Sequence, residues 1–192
     1  FLDSCRWVKS QVHPLDWLDR ANPRPGLRRW RACFGRLGDT TKWREAQAEI
    51  CDDGSITVAS AMGAGRAGTN TVLEGNEIAA DRAETFVADF LALLWSSARV
   101  LGTTVFDVQI DIRLEGLGPI ILRIPDSTLH GYYLDPEHSA PVHRFLPVRA
   151  TLDTNCSEAA FVDHLREIAL DVVNQGGAQY LHSIMNPTDH SG

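Results

Sequence analysis

The chain has 192 residues, 44% apolar and 22% charged, with 18 Lys and Arg against 25 Asp and Glu for a net charge of −7. This is the balance of a soluble globular protein of one ordinary domain, or one domain with an arm, and it supplies enough apolar side chains for a sizeable core. It excludes a membrane span, because the longest apolar stretch, within Phe86 to Leu101, is broken by Asp89, Ser96, Ser97 and Arg99 and falls short of the roughly 20 apolar residues a bilayer requires.

Charge is uneven along the chain. Residues 1–50 hold ten Lys or Arg and six Asp or Glu, a net +4, so the remaining 142 residues carry −11. Sixteen of the 18 cations are arginine, which suits bidentate anion recognition and equally suits a GC-rich genome. In this first segment Pro14, Pro23, Pro25, Gly26, Gly35 and Gly38 interrupt every periodic run before it reaches three turns. Asp16 to Ala21 reads as one short helical turn. Arg28 to Phe34 alternates, with Trp30, Ala32 and Phe34 on one side of a strand and Arg29, Arg31 and Cys33 on the other. Thr41 to Cys51 is a strand or a short helix, Asp52-Asp53-Gly54 a turn, and Ile56, Val58 and Ser60 the inward face of the next strand.

A long helix is predicted from Glu77 to Leu101, with Asn76 as N-cap, Glu77 and Asp81 in its first turn and Gly102 just past its end. Its stripe of Ala79, Ala83, Phe86, Val87, Phe90, Leu94, Ala98 and Leu101, widened by Leu91 and Leu93, predicts burial on more than one side. Val105 to Leu114 alternates as a half-buried strand, and Glu115-Gly116-Leu117-Gly118 turns it into Pro119 to Ile124 as an antiparallel hairpin. Residues 125–143 are the longest surface excursion. Arg144 to Thr151 reads as an edge or bulged strand because Pro147 interrupts its ladder. A second helix begins after Asn155, where Glu158 completes a capping-box pattern, and ends at Gly176-Gly177. The tail from Asn186 is expected to be disordered. This order predicts an α+β two-layer sandwich, two helices on one face of a mainly antiparallel sheet, spanning 51–185 with the basic 1–50 segment packed onto it.

Gly63-Ala64-Gly65-Arg66-Ala67-Gly68 matches G-x-G-x-x-G, yet the predicted helix opens about ten residues too late to present its amide groups to a pyrophosphate. A loop between strand and helix is the favoured reading; the alternative is a nucleotide or anion loop built from Gly63, Gly65, Arg66 and Gly68. Arg24, Arg28, Arg29, Arg31 and Arg36 with Trp30 and Phe34 form a basic and aromatic stretch able to contact phosphates while rings stack on bases. Against that stands pairing of these arginines with the acidic remainder of the chain or of a partner protomer, leaving Trp30 and Phe34 in the core. His130, His138 and His143 with Asp126, Asp135 and Glu137 match no metal spacing and read as a solvated loop. Asp107 and Asp111 are four residues apart on a strand, roughly 13 Å, too far to share one proton or metal. Cys5, Cys33, Cys51 and Cys156 are dispersed and read as reduced thiols in a cytoplasmic protein. Ser96, Ser97 and Ser127 have no identifiable base, and His164 reads as a helix-surface or satisfied core histidine.

At Asp171-Val172-Val173-Asn174-Gln175-Gly176-Gly177-Ala178-Gln179-Tyr180-Leu181 and at Arg28-Arg29-Trp30-Arg31 the chain resembles the C-terminal portion of actinobacterial proteins that carry an N-terminal Schlafen-like, AlbA-type DNA-binding domain. The resemblance covers two short stretches, neither of them a catalytic motif, and transfers no functional residue. It implies an accessory domain, tethered to a nucleic-acid-binding or nucleotide-binding module, that senses, dimerises or binds a partner. The residues from Phe1 show no signal peptide, so the chain reads as a piece of a longer polypeptide or a processed product. The expected role is a non-catalytic accessory or interaction domain of a larger cytoplasmic bacterial protein. It would have a protein partner or a second copy, no membrane, no cofactor and no metal, and would use its sheet and the 125–143 excursion as contact surfaces.

Overall fold

The computed structural model describes residues 7–9, 13–18, 24–33, 46–60, 66–67, 71–72, 76–113, 118–126, 131–133 and 141–185. It has an α+β fold in which two helices pack on each other and on strands divided among four short sheets. The predicted turn at Asp16 is a 3-10 turn over Pro14–Trp17, placed earlier because Pro14 pre-sets its first dihedral.

The basic segment forms most of an antiparallel meander, β1 (Arg24–Gly26), β2 (Arg29–Cys33), β3 (Ala46–Cys51) and β4 (Ile56–Ser60), paired in chain order. Between β3 and β4, Asp53 accepts from the backbone N–H of Ser55 at 2.9 Å and from its hydroxyl at 2.6 Å, fixing the predicted turn. On the inner face of the meander Ala46 and Ala48 are buried, and Ile56 and Val58 pack against the main core. A two-residue pair follows, β5 (Arg66–Ala67) with β6 (Thr71–Val72).

The long helix starts three residues later than its cap signal predicts. Glu77–Ala79 form β7 instead, pairing in parallel with Ile121–Arg123 of β9 (Ile121–Asp126), and α1 runs from Ala80 to Leu101. Asn76 bonds across to β9's approach: its side-chain amide donates to the Pro119 carbonyl at 3.0 Å and its own carbonyl accepts from Ile121 N–H at 3.0 Å. Sheet pairing of three buried residues outweighs the one bond an N-cap supplies. The end of the helix is as predicted, with Gly102 in the left-handed region at φ 69°.

The predicted hairpin of 105–114 with 119–124 does not form. β8 (Val105–Ile110) pairs antiparallel with β11 (Val148–Asp153), whereas β9 lies between β7 and β10 (Gly131–Tyr133). The reason is amphipathicity. β8 and β11 each have one wet face, while Leu122 and Ile124 of β9 are buried beneath α1. Pro147 interrupts no ladder, because β11 begins one residue after it. The second helix, α2 (Glu158–Asn174), is capped by Ser157, whose hydroxyl accepts from Ala160 N–H at 3.2 Å. Asn155 belongs to the preceding turn, donating its N–H to Asp153 at 2.8 Å, and Glu158 accepts from the Trp7 indole at 2.9 Å. At the centre of the core Phe161 is fully buried, with ring centroids of Trp95 at 4.4 Å and Trp7 at 5.3 Å. The tail from Asn186 and most of the 125–143 excursion lie outside the described residues.

Candidate functional site

The β1–β2 hairpin projects from the free end of the meander. Its two strands pair Arg24 with Arg31, Pro25 with Trp30 and Gly26 with Arg29, leaving a two-residue loop of Leu27 and Arg28. Arg28 is the one non-glycine among the described residues at positive φ, 56°, a left-handed conformation that costs an arginine about 1–2 kcal/mol. The ladder continues from Arg31 to Glu49 and from Trp30 to Ile50. Alternation therefore places Arg24, Arg29, Arg31, Gln47 and Glu49 on one face and Pro25, Trp30, Ile50 and Ile56 on the other.

On the arginine face one carboxylate holds two cations. Arg29 Nη1 donates to Glu49 Oε2 at 3.0 Å, Arg31 Nε donates to Glu49 Oε1 at 2.7 Å, and the Gln47 amide donates to the same oxygen at 2.6 Å. Burial pushes the Glu49 carboxyl up; the Arg31 hydrogen bond, the charges of Arg29 and Arg31 and the Gln47 bond outweigh it and hold the carboxyl below its ordinary value. Arg24 and Arg28 have no ion-pair partner among the described residues.

The competing core reading is thus half realised. Arg29 and Arg31 do pair within the chain, though with Glu49 of the same basic segment and not with the acidic remainder, and Trp30 is 56% exposed and Leu27 90% exposed, because the hairpin overhangs the core. The stacking arrangement expected of one ligand is also altered, since Trp30 faces away from Arg29 and Arg31. Arg36 and Phe34 lie outside the described residues.

Gly63, Gly65 and Gly68 likewise lie outside them, and Arg66 is seen as a strand residue opposite Val72. α1 opens at Ala80, so no described helix N-terminus follows the glycines directly. His130, His138, Asp135 and Glu137 are outside the described residues, and His143 is exposed. Among the described residues no group of three or more His, Cys, Asp or Glu is arranged to hold a metal ion. Asp107 accepts from the Thr151 hydroxyl at 3.0 Å and Asp111 pairs with Arg113 at 3.1 Å, so the two serve different partners. An open depression over β8 and β11 is lined by Asp107, Gln109, Arg149 and Thr151, whose polar groups bond to one another. His164 is a half-exposed helix residue 3.6 Å from Glu167.

Sequence reasoning missed Glu49 as the organiser of this face. The signal was present in Gln47 and Glu49 alternating with Ala46, Ala48 and Ile50, a strand pattern whose partner becomes evident only once register is known. Among the described residues no helix is long and apolar enough to cross a membrane. No family model, no curated protein and no solved structure matches this chain.

Proposed function

We propose that the chain is a non-catalytic interaction domain of a larger bacterial cytoplasmic protein, and that the β1–β2 hairpin is its contact element. The observation that carries this reading is the exposure of Leu27 and Trp30 on an overhanging hairpin, beside two arginines without partners among the described residues. Aromatic and arginine side chains are those that interfaces favour as anchors. A second copy of the chain is the simplest partner, because the acidic remainder, −11, complements the basic first 50 residues at +4. Sedimentation equilibrium over a hundredfold concentration range tests it, comparing wild type with Leu27→Ser/Trp30→Ser. A concentration-dependent dimer that the double variant loses is expected; the same association in both would remove the hairpin from the interface.

A second reading, nucleic-acid binding, is favoured by a separate observation: Arg24, Arg29 and Arg31 share one face with a single carboxylate. Phosphate contacts of this kind make affinity fall steeply with salt. The expected result is duplex binding whose salt dependence shrinks in Arg24→Gln/Arg28→Gln; no binding at low salt would end this reading.

A further inference from the structure

The arginine face carries its own counter-anion. Glu49 stands directly across the β2–β3 ladder from Arg31 and reaches Arg29 two residues along, a spacing of about 7 Å on one strand face. Arg24 lies across β1–β2 from Arg31 on the same face, and like charges placed opposite each other are unfavourable unless an anion lies among them. We infer that Glu49 is an intramolecular stand-in for a phosphate, holding Arg29 and Arg31 aligned and yielding them to a nucleic-acid backbone that displaces it.

Three features carry this beyond the nucleic-acid reading on which it rests. The bonds to Glu49 use one nitrogen of each guanidinium, leaving the other N–H donors of Arg29 and Arg31 for a second acceptor. The side chains of Arg29 and Arg31 are 42% and 38% exposed while that of Glu49 is 11% exposed, so the carboxylate sits beneath the two guanidinium groups and an incoming anion meets them from the solvent side. Gln47, Cys51, Thr57 and Ala59 complete the face without a large apolar side chain. A protein interface needs a buried apolar anchor there, whereas a phosphate backbone does not. The other carboxylates at this end, Asp52 and Asp53, sit in the β3–β4 turn, where Asp53 is engaged by Ser55.

The test is fluorescence anisotropy with a labelled DNA duplex and, separately, a labelled oligoglutamate peptide, across a salt series. It compares wild type, Glu49→Gln and Gln47→Glu, with circular dichroism confirming each fold. Freeing two arginines should tighten duplex binding by Glu49→Gln roughly three- to tenfold at low salt and steepen the salt slope by about 1 to 2. Gln47→Glu, which adds a competing carboxylate, should weaken binding. If Glu49→Gln does not fold, Gln47→Glu decides alone, and unchanged affinity there overturns the inference. Wild-type binding that Glu49→Gln leaves equal or weaker overturns the displacement while sparing the nucleic-acid reading. No duplex binding by any form ends both, and tightening toward the peptide alone overturns the assignment to phosphate.

Discussion

Gly176 has no room for even one methyl group. A Cβ at that position would lie 2.0 Å from Leu122 Cδ1 and 2.9 Å from Leu122 Cβ, and Leu122, the second residue of β9, is 1% exposed. Immediately before it, the Gln175 side chain accepts from Leu146 N–H at 2.7 Å and donates to the Leu146 carbonyl at 3.0 Å, tying the end of α2 to the segment that leads into β11. These contacts give Asn174-Gln175-Gly176-Gly177 a packing role. Gly176→Ala should therefore lower stability by about 3 kcal/mol and Tm by roughly 6 to 12 °C. Adding Leu122→Val should recover part of the loss, and additive losses in the double variant would contradict a direct clash. Cys156 illustrates the bland side of the same scale. Burial, then the Asp153 charge, raises its thiol above the ordinary value, which suits a packing residue and not a nucleophile. The four cysteines could be recognised as dispersed from sequence, but the environment of Cys156 could not, because it depends on the turn that brings the Asp153 carbonyl to 3.2 Å from its sulfur.

The meander shows how much of an element is legible. The alternation of Arg29, Trp30, Arg31 and Ala32 correctly indicated a strand and its two faces, since side-chain period follows from local sequence. It could not indicate that the strand overhangs the core, which is why Trp30 reads as apolar and buried in sequence but is exposed. Helix starts were misplaced for a related reason. Asn76 and Asn155 are both good caps, yet Asn76 is drawn into bonds with the segment entering β9, and Asn155 into a turn with Asp153. The Glu49 cluster makes a prediction at this scale. Because the folded carboxyl lies below its ordinary value, the stability it contributes is present above the ordinary carboxylate range and is lost as pH falls through the folded value. Thermal melts between neutral pH and pH ~3 should show a shallower acid decline in Glu49→Gln than in wild type. Parallel curves would mean that the arginine pairs add nothing to folding.

At the scale of the whole molecule α1 is the spine on which distant segments are fastened by buried carboxylates. Glu84, fully buried, accepts from the backbone N–H groups of His182 at 2.9 Å and Ser183 at 2.7 Å, with Ile184 at 3.4 Å. One turn and a half further on, Asp89, also fully buried, accepts from Leu15 N–H at 3.2 Å and lies 2.8 Å from His13 Nδ1. The segment held by Glu84 also meets the front of the chain: Val8 bridges Ile184, Lys9 N–H donates to the Ser183 carbonyl and Met185 N–H to the Trp7 carbonyl. Glu84→Gln places an amide donor among backbone donors and should cost about 2–3 kcal/mol. Hydrogen exchange should accelerate first at residues 182–185 and at Lys9, with α2 still protected. Uniform acceleration across the molecule would instead mark Glu84 as an ordinary core residue.

Period and composition, which are local, determined the two helices, the alternating strands, the α+β class and the basic front of this protein. Partner choice is not local. Whether β9 pairs with β8 or β7, whether Arg31 meets Glu49, and which backbone amides Glu84 receives depend on residues up to 100 positions apart in the chain. Only the tertiary structure decides these, because each pairing is selected by the shared burial of both partners and not by the preference of either one.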